Sequence, residues 1–368
     1  MLRLSLFALA ATLFLMASPS TALDVPAKAP DAIRFATYNV SLFGEAPGDI
    51  IARLQDGDAQ ARLSAEIIQR VGPDVLLIQE LDRDEAGRAL NLYADQYLAV
   101  SQSGAEPMEF PHRLSLPSNT GVPSGVDLSA NGFIGESGVA YARDAKGFGL
   151  FPGQYAFSLV SKFPLGPART FTDFLWRDLP GHRIPADVPE LARDVLPLSS
   201  KTHALIPVMV GDATIFVAAA HPTPPLRPEL ARRNADEIRL LADLLHEARS
   251  QYARDDEGNI GGLPGGALAI AMGDLNADPD PKAGDSLDGA IGYLIDDPSM
   301  NDPVPRSQEG TATAAFSRGD MRVDYVVPTA NLKVLASGIA RPARTDPLFR
   351  ASDHFLVWVD IARPSPAQ

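Results

Sequence analysis

An α/β fold is what this sequence predicts, on three observations. Strand-like and helix-like stretches alternate along much of the chain. One strand-like run, 75–78, is apolar without interruption, as a strand covered on both faces requires. Neither an internal repeat nor a linker divides the 368 residues, so one α/β domain over 23–368 is the economical reading. The chain has no cysteine, so stability must come from the core, without disulfides or thiolate-bound zinc.

The first 22 residues read as an address. Arg3 is followed by an apolar run over 4–16 and by the small residues Ser20, Thr21 and Ala22, a secretory pattern with cleavage expected after Ala22. The run is shorter than the ~20 residues a spanning helix needs. Export to the periplasm or beyond, with no stable membrane insertion after cleavage, is the expectation. "AIRFATYNV" then predicts a strand. "DAQARLSAEIIQRVGPD" predicts a helix with Asp58 as N-cap, Leu63, Ile67 and Val71 on one face, and Gly72-Pro73 as the stop. "DVLLIQE" is the next strand. Residues 101–197 are rich in Gly, Pro, Ser and Asn and predict long loops on one rim, with "YAFSLVSKFPL" a strand among them.

Regular patterns return with "ATIFVAAAH" as a strand. "PELARRNADEIRLLADLLHEA" predicts a helix with Pro228 in its first turn and Ile238, Leu241 and Leu245 at helical spacing. "DDEGNIGGLPGG" is a surface loop, and "GALAIAMGD", "MRVDYVV" and "HFLVWVDI" are strands. The formal charge of −14 argues against holding nucleic acid through a broad basic surface, since phosphate contacts need Lys and Arg. A local positive site or a metal ion can still receive a phosphate.

Five polar residues close predicted strands: Asn39, Glu80, His221, Asp274 and Asn276. Side chains at strand ends can converge on one rim, and Asp274 and Asn276, two apart, are expected to face the same one. Asp353 and His354 instead precede their strand. An antiparallel partner would bring that start to the same rim, so a mixed sheet is expected. Taken singly, Asp or Asn at a strand end is a common turn residue.

In order, "TYNV", "LLIQE", "AAAHPTPP", "GDLNADP", "RVDYVV" and "SDHFLVWVD" resemble the signature segments of the endonuclease/exonuclease/phosphatase superfamily, the deoxyribonuclease I-like fold, over roughly 33–361. The resemblance implies a four-layer αββα sandwich of two mixed β-sheets and a divalent-metal phosphoesterase. It implies that Glu80 is the principal metal carboxylate with Asn39 beside it and Asp353 near the metal or its waters. Hard oxygen donors suit Mg²⁺, or Mn²⁺, as one ion or two. It makes Asp274 the residue that positions or deprotonates the attacking water and Asn276 the amide that orients the phosphate. His354 is implied to contact the scissile phosphate with Asp324 as its orienting partner, and His221 to contact phosphate or act as an acid near the leaving group. "HPTPP" departs from the Tyr-x-Pro-Asn segment of the abasic-site repair branch. Ser41 stands where some members carry a second metal-binding acid.

Lys201 and His203 in "SSKTHALIPV" could reach the phosphate from a neighbouring strand, but a solvated strand-end lysine and a hydrogen-bonded histidine are at least as well supported, and both are left outside the core set. Trp176 reads as packing its loop, Arg232-Arg233 as surface and Trp358 as core. Segment 101–197 is expected to wall a pocket around a compact phosphoester, so nucleic acid is a possible but not preferred substrate. An extracellular nuclease and an inactive binding module on the same fold are the alternatives.

Overall fold

In the computed structural model, which describes residues 23, 25–186, 188–280, 287 and 289–364, the strand read from residue 32 is longer than expected. The leader assigned to 1–22 lies outside the described residues. In chain order come β1 (Ala32–Leu42), α1 (Asp49–Gln55), α2 (Ala59–Val71), β2 (Val75–Leu81), α3 (Arg88–Tyr93), β3 (His112–Ser115), α4 (Gly138–Asp144), β4 (Phe157–Ser161), β5 (Arg169–Thr170) and α5 (Glu190–Val195). There follow β6 (His203–Val210), β7 (Ala213–Ala220), α6 (Pro228–Leu244), β8 (Leu268–Asp274), α7 (Gly292–Ile295), β9 (Ala314–Phe316), β10 (Gly319–Met321), β11 (Asp324–Pro328), β12 (Val334–Ala340) and β13 (Leu356–Ala362).

Six strands make one sheet, in the order β12-β13-β1-β2-β4-β3, and five make a second, β11-β8-β7-β6-β5, with β9 and β10 a separate hairpin. Both sheets are mixed: β1 runs parallel to β2 and β7 to β8, while their other neighbours run antiparallel. Period-two alternation explains the layers. Val75 and Leu77 face inward, meeting Ile206, Val217 and Ile270 of the second sheet. Leu76 and Ile78 face outward against Ile67 and Ile68 of α2. On the far side, Ile238, Leu241 and Leu244 of α6 cover Ala218 and Ala271. The result is the expected αββα sandwich, and the unbroken run 75–78 is apolar because both its faces are covered.

Local chemistry sets several boundaries. Asp58 caps α2 by accepting from Ala61 N at 2.8 Å, and Gly72 closes it in the left-handed region at φ 67°. Helix α6 ends at Leu244, earlier than its apolar spacing suggests, because the 262–263 backbone docks there: Leu263 N donates to Leu244 O at 2.8 Å. "MRVDYVV" divides between β10 and β11, since Val323 N and Asp324 N both donate to Thr313 Oγ1 at 2.9 Å and turn the chain. Segment 101–197 is mostly loop, but it also contributes β3, a shortened β4 and β5 to the sheets.

One buried ion pair crosses the first sheet. Arg34 donates through Nε and Nη2 to Asp360 at 2.7 and 2.8 Å, with its guanidinium 4.1 Å above the Trp358 ring, and both side chains are buried. Removing one charge from such a pair leaves the other desolvated and uncompensated, so Asp360→Asn is expected to cost about 3 kcal/mol in urea unfolding. A loss below ~0.5 kcal/mol would show that the pair adds nothing.

This topology sets the rim. The parallel pairs bring the C-terminal ends of β1, β2, β7 and β8 to one end of the sandwich. Antiparallel β13 and β11 bring their N-terminal starts there, with Asp324 in register with Asp274.

Candidate active site

The side chains at this rim converge on one atom, Asp274 Oδ2. Asn39 Nδ2 donates to it at 3.1 Å, His221 Nε2 lies 3.4 Å away and His354 Nε2 3.7 Å away. Asn39 comes from the first sheet and Asp274 from the second, so this hydrogen bond joins the two layers. Asp274 Oδ1 accepts from Asn276 N at 3.0 Å, and the Asn276 amide donates to Pro222 O at 3.1 Å. Glu80 approaches from β2, its Oε1 3.9 Å from His221 Nε2, and its side chain keeps 22% exposure.

The backbone bends where it aims these groups. Ser41, Glu80 and Asn276 have φ of 49°, 55° and 52°, in the left-handed region that non-glycine residues rarely adopt. Ser41 and Glu80 sit in the bulge between the Asn39–Gln79 and Leu42–Leu81 pairs and Asn276 just past the end of β8, and strained conformations of this kind persist only where surrounding contacts hold them. Ser41 N donates to Asn39 Oδ1 at 3.2 Å and Asn276 is tied to Asp274 and Pro222, while a hydroxyl braces the neighbouring Asn39 and His354. Ser352 Oγ donates to Asn39 O at 2.7 Å and accepts from His354 N at 3.1 Å.

The two histidines are divided electrostatically. Burial works against a charged His354, but Asp324, bonded to its Nδ1 at 2.9 Å, and Asp274 outweigh burial and hold it well above the usual imidazole range. His221 has the opposite fate. Burial, reinforced by Lys201 and His354, holds it well below that range, so its ring is neutral. Burial pushes Asp274 up to about 6 and raises Glu80, against the pull of His354 in both cases.

The ligand atoms of Glu80, His221 and Asp274 lie within 4.8 Å of one another, as do those of Asp274, Asp324 and His354. The second group is already closed by the Asp324–His354 ion pair. The first fits a cation: both nitrogens of His221 are buried without a hydrogen-bond partner, the ring is neutral, and the other donors are carboxylates.

Asn39, Glu80, His221, Asp274, Asp324 and His354 are thus brought together, with Asn276 bonded to their edge. Asp353 is not in either cluster. It is exposed and accepts from Ser41 Oγ at 3.1 Å, while Ser41 N donates to Asn39 Oδ1. The Asp353 charge contributes to holding His354 protonated, so this residue borders the site from the solvent side.

Of the two readings of Lys201, the structure removes the solvated one. Lys201 is only 5% exposed, and its ammonium acts electrostatically on Glu80, His221 and Asp274. Burial lowers its pKa, opposed by Glu80, Glu237 and Asp274. The available signal was register: His203 pairs with Ala220, so the residues before His203 run alongside His221. His203 is the hydrogen-bonded histidine expected, between Ser199 Oγ at 2.6 Å and Glu237 O at 2.8 Å. Trp176 packs its loop and donates to Asp236 at 2.7 Å, and Trp358 is core. Arg232 is exposed, but Arg233 is buried, its guanidinium bonded to the carbonyls of Lys146, Pro197 and Leu198.

A two-sheet α/β sandwich whose rim gathers carboxylates, an imidazolium and a neutral imidazole defines a class of protein equipped to receive a phosphate and a divalent cation. The profile of the endonuclease/exonuclease/phosphatase family matches residues 36–354, and the chain belongs to that family, which includes metal-dependent phosphoesterases and nucleases. Among solved structures, an endonuclease/exonuclease/phosphatase from Beutenbergia cavernae is 18% identical, with TM-score 0.53, over 91% of this chain and 72% of that one. A family protein from Leptotrichia buccalis is 14% identical, with TM-score 0.52, over 90% and 99%. The human Nocturnin catalytic domain with bound sulfate is 15% identical, with TM-score 0.49, over 92% and 97%. The first two are likenesses of fold. No curated protein matches the chain.

Proposed function

We propose that this protein is an exported, divalent-metal-dependent phosphoester hydrolase acting on a compact substrate. The observation that carries the reading is the convergence of Asn39, His221 and His354 on Asp274 Oδ2, with Glu80 beside them and the two imidazoles in opposite charge states. Glu80 and Asn39, with the free ring nitrogens of His221 adjacent, would hold Mg²⁺ or Mn²⁺. Such an ion supplies Lewis-acid neutralisation of phosphate charge.

The remaining work falls to this chain's own groups. Asp274 receives the proton of the water that attacks phosphorus, and the ester P–O bond breaks with its electron pair on the leaving oxygen, which takes a proton from solvent. Asn276 orients a phosphate oxygen. His354, kept an imidazolium by Asp324, offsets charge developing on the phosphoryl oxygens, and Lys201 adds to that field. His221, held neutral, serves as an acceptor on the Glu80 side in place of the standing acid suggested by resemblance.

The course of segment 101–197 supports a compact substrate. Asn119 N donates to Lys201 O at 3.0 Å, and Tyr155 N donates to Asp82 Oδ1 at 3.0 Å near Glu80. The segment therefore borders the rim on both the Lys201 and Glu80 sides. Export rests on the 1–22 pattern.

The test is hydrolysis of an aryl phosphodiester and monoester, nucleotides, sugar and inositol phosphates, RNA and plasmid DNA, with Mg²⁺ or Mn²⁺ and with EDTA. Activity is expected on small esters and lost in EDTA. Glu80→Gln is expected to weaken metal dependence and rate together, by more than the ~10–100-fold that loss of an outer-sphere partner costs. Full activity in excess EDTA would sink the metal reading. Rapid plasmid nicking without phosphate release from the small esters would make the protein a nuclease.

A further inference from the structure

Among the polar side chains that helix α6 buries, two reach the chain ends at the site. Glu237, 1% exposed, accepts from Ser200 N through Oε1 at 2.7 Å and from Thr223 N through Oε2 at 2.6 Å. Asn234, one turn earlier and fully buried, donates through Nδ2 to Thr223 O at 3.0 Å and Leu275 O at 2.9 Å. Ser200 adjoins Lys201, Thr223 follows His221 by two residues, and Leu275 adjoins Asp274.

We propose that Glu237 and Asn234 are positioning residues that hold the Lys201, His221 and Asp274 chain ends in reactive register, an inference that rests on the phosphoesterase reading. The sheet holds only the Asp274 end, and only on its β11 side, through the Asp274–Asp324 pair. The β6–β7 ladder stops at His203–Ala220 and the β7–β8 ladder at Ala219–Met272, before the site residues. Past those pairs, the strand ends need other partners for their backbone groups. The clamp supplies them from one rigid helix, whose apolar residues Ile238, Leu241 and Leu244 are anchored in the core. Burying a carboxylate there is costly, and an apolar side chain would fill a helix–sheet contact at lower cost. Glu237 is instead bonded through both oxygens, to chain ends on either side of the site.

The experiment compares Glu237→Gln and Asn234→Ala with Asp360→Asn, which destabilises the first sheet away from the rim. Gln has the same shape but turns an NH₂ toward one of the two N–H donors. On the aryl phosphodiester, Glu237→Gln is expected to lower kcat about 10–100-fold, as loss of outer partners does at other sites, with KM changed less than about threefold. Asp360→Asn should keep its kcat well below its melting temperature. The His221 and His354 imidazole NMR signals should move in the two clamp variants and stay in place in Asp360→Asn.

A folded Glu237→Gln within about twofold of the wild-type kcat overturns the proposal, as does a loss of rate that merely follows Tm across all three variants. If Glu237→Gln does not fold, Asn234→Ala is held to the same limits. If the wild type hydrolyses none of the phosphoesters, the phosphoesterase reading fails. The imidazole spectra then decide the clamp alone: moved signals support it and unmoved ones overturn it.

Discussion

Asp274→Asn is expected to lower kcat about 10²–10⁴-fold on any phosphoester the protein hydrolyses, with KM changed far less, because it removes the proton acceptor at the atom where the site converges. Asparagine preserves the shape but turns its NH₂ toward either Asn39 Nδ2 or Asn276 N, so one of those two hydrogen bonds is lost and a modest fall in Tm should accompany the much larger loss of rate. The carboxyl, pushed up to about 6 by burial, is in its base form above that pH. The wild-type rate should therefore rise through that region. A folded Asp274→Asn that kept most of its activity would show that the "GDLN" segment has been given the wrong role.

The second large effect is expected at the His354–Asp324 pair. His354→Ala removes the imidazolium and should also lower kcat by about 10²–10⁴-fold. Asp324→Asn is the more informative change. A raised imidazole pKa keeps the charged form present above the ordinary histidine range, and Asp324 is the strongest of the groups that raise it. Neutralising Asp324 should move the alkaline limb of the pH–rate profile to lower pH and reduce the maximum. An unmoved alkaline limb would mean that a different group sets it. Because the two residues act as a unit, the double variant should lose much less than the product of the single losses.

Much of the fold could be read locally. Helix α2 declares itself through Asp58, its apolar face and Gly72, and β2 through an apolar run that only a strand covered on both faces would carry. The strands that escaped notice have weak local patterns. β3 is a half-buried edge strand, and β5 spans only two residues. β12, "VLASGIA", is broken by Ser337 and Gly338, and the glycine is there for packing. A Cβ at 338 would fall 2.7 Å from the Trp358 indole. A small residue chosen for a neighbour far along the chain carries no strand signal of its own.

The sequence by itself determined the α/β class, the family and the polar residues at the strand ends, because periodicity, caps and short motifs are properties of neighbouring residues. Only the tertiary structure decided that Asn39 and Asp274 join the two sheets, that Asp353 borders the site through Ser41, and that Lys201 is buried beside it. It also divided the two histidines, one hydrogen-bonded to the buried Asp324 and one enclosed without a hydrogen-bond partner. Charge state depends on which groups share a desolvated volume, and that volume is made by segments more than two hundred residues apart in the case of Asn39 and Asp274.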